Sequence, residues 1–149
     1  MTTRTVHLPR ILIAEDHTLV AEAFKSRLDT DYEVVGIVSD GSLVSIAAEL
    51  SSDLIVLDVD MPILNCLDAG QQIKELLPRV KLVYMTMNED ANLAAEAVRR
   101  GASGYFVKTS ELVIAVREVL RGRSYVSERL SKIRSACVGG KNWLVKEKD

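Results

Sequence analysis

Several residue types that define common classes of protein are scarce in this 149-residue chain. Its two cysteines, Cys66 and Cys137, have no CxxC spacing, so neither a disulfide framework nor a zinc site is indicated. No apolar run approaches the length of a membrane span, and the start of the chain lacks the apolar core of a secretory signal. A formal net charge of -2 excludes a general attraction to nucleic acid or anionic membranes. These absences predict a soluble, cytoplasmic protein.

What is present is an ordinary globular composition, 48% hydrophobic and 27% charged, in a chain of one-domain size. One stretch organises it: the apolar run Leu54 to Leu57 ends in Asp58, and Pro62 follows shortly. A short apolar run with such bounds is typical of a strand buried on both faces of a parallel sheet. We therefore expect Asp58 at the rim of a sheet, where open α/β folds place their chemistry.

Strand and helix patterns alternate along residues 10–121, which predicts an α/β fold, a doubly wound five-stranded parallel sheet of (βα)5 type. The predicted strands are residues 10–14, 33–38, 53–58, 81–86 and 104–108. Ser42 and Ser110 are predicted to cap the second and last helices, and Gly101 and Gly122 to follow helix ends. The helix after Cys66 is expected to turn Ala69, Ile73, Leu76 and Leu77 towards the sheet.

Four predicted strands end in polar groups, which the topology brings to one edge of the sheet. They are Glu15-Asp16, Asp58, Thr86 and Lys108. Clustered carboxylates raise one another's pKa unless a cation neutralises them, and Mg²⁺ is the natural partner for such oxygen ligands. A carboxylate beside Mg²⁺ can act as a nucleophile towards phosphorus, with a hydroxyl and an ammonium group to hold the added charge.

On this ordered set of residues, residues 10–122 resemble the receiver domain of a two-component response regulator. The resemblance implies a CheY-like, flavodoxin-like fold with strand order 2-1-3-4-5, and an Asp58 that accepts a phosphoryl group from a phosphohistidine of a sensor kinase. The resemblance also implies that Asp16, Asp58 and the backbone carbonyl of Asp60 bind Mg²⁺, with Glu15 acting through water. It implies that Thr86 and Lys108 bind the phosphoryl group and that Thr86 and Tyr105 act as the switch. Asp60 and Asn88 would tune the lifetime of the phosphoryl group. The output surface would be the fourth helix, fifth strand and fifth helix.

Residues 108–110 and 121–126 are further similar to the NarL/LuxR-like branch, in which a helix-turn-helix domain usually follows. About twenty residues remain after Ser127, too few for such a domain. We expect an N-terminal tail (1–9), a receiver domain (10–122) and a basic linker or tail (123–149), in a stand-alone receiver or a piece of a longer regulator. The implied partner is the kinase, with transcription regulation and DNA contact only through a further C-terminal domain. A homodimer is left open, and no membrane partner is expected.

Two other functions fit parts of the pattern. Asp58-Val59-Asp60 imitates the DxD of haloacid-dehalogenase-like phosphatases, although their motif ends the first strand rather than the third. The second is a phosphorylation-independent interaction module. We expect a phosphoacceptor that catalyses its own phosphorylation and dephosphorylation rather than an enzyme with a separate substrate. By their residue types alone, His17 is predicted to be an exposed helix residue rather than a group that tunes the metal beside Glu15-Asp16. Cys66 is predicted to be a small buried hydrophobe rather than a redox sensor, and Tyr105 a buried sheet aromatic.

Overall fold

The computed structural model describes residues 7–62, 64–107, 109–130 and 144–145. In chain order the elements are β1 (Arg10–Ala14), α1 (Thr18–Leu28), β2 (Glu33–Val38), α2 (Leu43–Leu50), β3 (Leu54–Asp58), α3 (Cys66–Leu76), β4 (Lys81–Met85), α4 (Ala91–Arg99), β5 (Gly104–Phe106), α5 (Leu112–Leu120), β6 (Tyr125–Val126) and β7 (Leu144–Val145). None of the described helices is long and apolar enough to cross a membrane.

The strands form one parallel sheet in the order β2-β1-β3-β4-β5-β6-β7. This confirms the predicted α/β class and the order 2-1-3-4-5, to which the short strands β6 and β7 are added at one edge. From β1 the chain moves to β2 on one side of it, and then crosses back to place β3 on the other side. The topological switch point therefore lies between β1 and β3. The predicted site residues of these two strands therefore flank the crevice where such folds bind ligands.

The sheet is buried on both faces because β1, β3 and β4 are almost wholly apolar. Alternate residues of each strand enter two separate cores, as the two-residue repeat of a strand requires. Ile55 of β3 packs in the core that includes Ile73 of α3. Its neighbour Leu54 packs in the core that includes Phe24 of α1. The sheet is therefore a rigid platform, and its carboxyl edge holds the polar groups.

Helix ends follow the sequence signals in most places, with two corrections. Ser110 does not cap the last helix: a short 3₁₀ turn spans Thr109–Glu111, and α5 begins at Leu112. Glu111 instead accepts hydrogen bonds from the Tyr125 and Ser127 hydroxyls, which ties this turn to β6.

Leu76 is the second correction, because it is 58% exposed rather than turned towards the sheet. The helix ends there, and Leu77 leaves helical geometry (φ -130°, ψ 78°) and packs against the core in its place. Ser42 does hold the N-cap position of α2, but its hydroxyl donates to Asp40 and makes no cap hydrogen bond. Gly101 follows α4 with a φ of 101°, the left-handed conformation predicted for that helix end.

The predicted domain limits remain a prediction. The sheet itself continues past residue 122, because Tyr125 N donates to Ser103 O and Ser127 N donates to Tyr105 O. The residues of the predicted basic tail lie outside the described part of the chain, apart from residues 123–130 and 144–145.

Candidate functional site at the carboxyl edge of the sheet

Asp58 lies at the end of β3 and is only 4% exposed. The parallel register pairs Ala14 with Leu57, so the next residue of each strand, Glu15 and Asp58, falls at the same level. Glu15 is 2% exposed, and its backbone N–H donates to Val38 O, which continues the ladder beyond β1. The predicted convergence of these acids from distant parts of the sequence is therefore present.

Four side chains can bring ligand atoms within 4.8 Å of one another: Glu15, Asp16, His17 and Asp58. Two oxygens of this cluster, Glu15 Oε1 and Asp16 Oδ1, are buried and accept no hydrogen bond within the described residues. Buried carboxylate oxygens without donors are costly unless a cation approaches them. The donor set consists mainly of hard oxygens, so these residues fit a divalent cation of the Mg²⁺ type.

His17 is a member of this cluster that its residue type alone did not predict. It is exposed and holds the N-cap position of α1, as expected of a residue at a helix start. Its Nδ1 also lies 3.0 Å from Glu15 Oε2 and 3.2 Å from Asp16 Oδ1. The hydrogen bond with Glu15, followed by the charges of Asp16 and Glu15, raises the pKa of His17. The available sequence signal was its position directly after the acidic pair.

The electrostatic environment of Asp58 favours its protonated form. Burial, followed by the adjacent Glu15 carboxyl group and the charge of Asp60, raises the pKa of Asp58 to about 7. The backbone N–H of Asp60, which donates to Asp58 Oδ1 at 2.9 Å, opposes this shift. In the absence of a cation, ionisation of Asp58 is therefore unfavourable, as expected for clustered carboxylates.

Cys66 supports the backbone beside Asp58. The thiol is 2% exposed, and its Sγ lies 2.9 Å from the carbonyl oxygen of Asp58. Burial, with the charges of the neighbouring acids, raises the pKa of Cys66 to about 12. The prediction of a small buried residue is confirmed, and a thiol with such a pKa is a poor nucleophile at neutral pH.

Thr86 is buried directly after β4, and its hydroxyl both donates and accepts a hydrogen bond. Thr86 Oγ1 donates to Asp60 Oδ2 at 3.1 Å and accepts the backbone N–H of Asn88 at 3.0 Å. The backbone N–H of Met87 also donates to Asp60 Oδ2, at 3.1 Å. Sequence reasoning placed Asp60, Thr86 and Asn88 at one site but did not predict that the Asp60 side chain joins the segments that follow β3 and β4.

Tyr105 of β5 is fully buried, as predicted for a sheet aromatic. Its ring centroid lies 6.3 Å from that of Tyr84, and its hydroxyl has no hydrogen-bond partner within the described residues. Burial, with the charges of Asp60 and Asp90, raises its pKa. Lys108, the predicted phosphoryl-binding cation, lies outside the described residues.

A doubly wound parallel sheet with a buried aspartate in an acidic cluster at its switch point defines a flavodoxin-like α/β domain whose polar site lies where such folds bind ligands. Comparison with known families identifies the family of this domain, because the profile of the response regulator receiver domain matches residues 11–117. The chain belongs to this family, and the predicted membership is confirmed.

The curated relatives carry the names of regulatory proteins. The chain is 34% identical over 129 residues to the oxygen regulatory protein NreC of Staphylococcus epidermidis, covering 82% of this chain and 59% of that protein. It is 33% identical over 121 residues to the uncharacterized transcriptional regulatory protein YxjL of Bacillus subtilis, covering 77% of this chain and 56% of that protein. The chain thus spans little more than half the length of these relatives.

Among solved structures, a LuxR-family two-component response regulator from Aurantimonas sp. SI85-9A1 superposes with a TM-score of 0.77 at 25% identity, covering 86% of this chain and 99% of that one. The receiver domain of Thermotoga maritima CheB gives a TM-score of 0.66 at 28% identity, covering 87% and 96%. The α/β fold and its CheY-like topology are therefore shared with receiver domains from different regulators.

Proposed function

We propose that this receiver domain accepts a phosphoryl group on Asp58 from a phosphohistidine of a sensor kinase. The observation that carries the proposal is the burial of Asp58 beside Glu15 at the carboxyl edge of a receiver-domain sheet. A carboxylate oxygen of Asp58 forms the O–P bond as the P–N bond of the donor breaks. The imidazole leaves and takes up a proton.

The acidic cluster would hold Mg²⁺ through Asp16, Asp58 and the backbone carbonyl of Asp60, with Glu15 acting through water. The buried oxygens Glu15 Oε1 and Asp16 Oδ1, which accept no hydrogen bond within the described residues, support this assignment. When bound, Mg²⁺ neutralises the carboxylates and shields the charge of the phosphoryl oxygens. Burial of Asp58 serves the same step, because a poorly solvated carboxylate is a stronger nucleophile once it is ionised.

The remaining residues respond to the new charge. The Thr86 hydroxyl and the Lys108 ammonium group hold phosphoryl oxygens, and Asp60 and Asn88 set the lifetime of the aspartyl phosphate. Tyr105 changes position with Thr86 and alters the surface formed by α4, β5 and α5. The domain catalyses its own phosphorylation and dephosphorylation in this scheme and has no separate substrate.

The wider setting is proposed from the relatives. A regulatory role fits their names, which describe regulatory and transcriptional regulatory proteins. A cytoplasmic location and a kinase as phosphate donor complete the proposed setting. Control of transcription through DNA requires a C-terminal domain of the kind that completes longer regulators. Self-association through the switched surface is left open.

Incubation with Mg²⁺ and acetyl phosphate should add one phosphoryl group to the wild type and none to Asp58→Ala, measured by intact mass. The added mass should be lost on treatment with hydroxylamine, which cleaves acyl phosphates. Asp53→Asn is the matched control, because Asp53 precedes the opposite end of the same strand. Its mass increase should equal that of the wild type.

An equal gain in mass on treatment for the wild type and Asp58→Ala would refute the proposal. The same samples distinguish the alternatives described above. Continuous release of phosphate from a phosphomonoester would favour a phosphatase, whereas partner binding unchanged by Asp58→Asn would favour a phosphorylation-independent module.

A further inference from the structure

Asp60 provides an observation that the phosphoacceptor role of Asp58 does not explain. Its backbone N–H donates to Asp58 Oδ1, while its carboxylate points across to β4 and accepts two hydrogen bonds on Oδ2. One comes from the Thr86 hydroxyl and the other from the Met87 backbone, both at 3.1 Å. Asp60 thus joins the segment that follows the phosphoacceptor to the segment that carries the proposed phosphoryl-binding hydroxyl.

A hydroxyl has one proton to donate, and so does a backbone amide. The Thr86 hydroxyl gives its proton to Asp60 Oδ2, because a carboxylate oxygen only accepts, while the Thr86 oxygen itself accepts the Asn88 N–H at 3.0 Å. Thr86 therefore cannot donate to Asp60 and to a phosphoryl oxygen at the same time. The same exclusion holds for the Met87 N–H. Any anion that takes both donors must displace the Asp60 carboxylate.

The charge of a phosphoryl group would also favour displacement of the Asp60 carboxylate. A phosphoryl group on Asp58 carries negative charge, and Asp60 lies beside it, with its backbone N–H 2.9 Å from Asp58 Oδ1. Asp60 is exposed as a residue, so its side chain has open solvent into which it can turn. Release therefore requires no rearrangement of the core.

We propose that in the unmodified protein the Asp60 carboxylate takes the hydrogen bonds of the Thr86 hydroxyl and the Met87 amide, and that it must release both donors before they hold a phosphoryl group. Asp60 is a positioning residue in this scheme, since it acts through Thr86. The proposal rests on the phosphoacceptor function of Asp58 and specifies what that site must break as it is modified. Because an external anion binds only when Asp60 has released the donors, its apparent affinity equals its intrinsic affinity multiplied by the fraction of time for which the donors are free.

The first experiment needs no phosphoryl group. In metal-free protein, hydrogen exchange of the Met87 amide should be about tenfold faster in Asp60→Ala than in the wild type, because its acceptor is removed. Asp60→Asn keeps an oxygen acceptor and should lie between the two. Equal exchange rates at Met87 in wild type and Asp60→Ala would overturn the proposal, whatever the result at Asp58.

The second experiment measures the dissociation constant of beryllofluoride, a phosphoryl analogue, in saturating Mg²⁺. Asp60→Ala should bind it about tenfold more tightly than the wild type, as expected if the donors are free about one-tenth of the time. Asp90→Asn is the matched control. It removes another nearby charge that acts on Tyr105, but keeps the oxygen that accepts the Asn92 and Leu93 amides at the start of α4.

Unchanged affinity in Asp60→Ala, or an equal gain in Asp90→Asn, would contradict a specific competition for donors. If the wild type neither binds beryllofluoride nor gains phosphate from acetyl phosphate, the proposed function of Asp58 fails. The exchange rate of Met87 still tests the Asp60 contact in that case, so the two failures are distinguishable.

Discussion

Asp58→Asn will be more stable than the wild type in metal-free buffer at about pH 8, by about 2 kcal/mol in free energy of unfolding. This is roughly half of the ~4 kcal/mol that the full pKa shift of Asp58 would give, because relaxation and water penetration around the carboxyl group reduce the cost of its charge. Burial and the neighbouring acids raise the pKa of Asp58 to about 7, so the native state pays for ionising this carboxyl group. An asparagine carries no charge and retains an oxygen to accept the Asp60 N–H. Urea unfolding in the presence of a chelator measures the difference.

The pH dependence identifies the cause. A raised pKa means that the native protein still holds a proton that the unfolded chain has released, so the stability of the wild type falls as pH rises from about 4 to about 7. The advantage of Asp58→Asn should therefore be small near pH 4, grow over this interval and level off above it. Mg²⁺ should reduce it by stabilising the wild type more. An advantage that does not change with pH would assign the effect to packing instead of ionisation.

Gly70→Ala will lower the free energy of unfolding by about 2 kcal/mol, although alanine normally favours a helix. A Cβ at this position of α3 would overlap the Tyr84 hydroxyl and lie 3.1 Å from both Tyr84 Cζ and Leu82 Cδ1. Both neighbours are buried strand residues, so neither can move aside freely. Thermal or urea unfolding should show the loss without metal or phosphodonor.

A double-mutant cycle tests the assigned clash. Tyr84→Phe removes the overlapping oxygen and its hydrogen bond to the Cys66 carbonyl, so it should cost about 1 kcal/mol alone. Gly70→Ala should then cost at least about 1 kcal/mol less in the Tyr84→Phe background than in the wild type. Gly41→Ala is the matched control, because a Cβ added at Gly41 would have no atom within 4 Å and the change should be near neutral. Additive costs would contradict a direct contact.

The sequence predicted the strands well because a parallel sheet covered on both faces leaves a signature in composition. The run Leu54 to Leu57 contains no polar residue, and each of its side chains is at most 1% exposed. The meeting of Glu15 with Asp58 was also predictable, since it depends only on parallel strand ends reaching one edge. Topology therefore carried the prediction of the acidic cluster.

Side-chain partners could not be predicted in the same way. The contact of Asp60 with Thr86 depends on the exact positions of two loops, and no periodicity in the sequence specifies those positions. The exposure of Leu76 depends on where the last turn of α3 opens, and both leucines there fit the apolar stripe. His17 was assigned by its residue type, whereas its ion pairs follow from the turn between β1 and α1.

The buried thiol of Cys66 has a practical consequence. A thiol with a pKa of about 12 and almost no exposure reacts slowly with alkylating reagents, and the Cys66 thiol donates a hydrogen bond to the carbonyl oxygen of Asp58. In a Cys137→Ser chain, the labelling rate of Cys66 therefore reports how often the connection after β3 opens. The native sequence thus supplies a kinetic probe of the backbone beside the phosphoacceptor, which can be read before and after a phosphodonor is added.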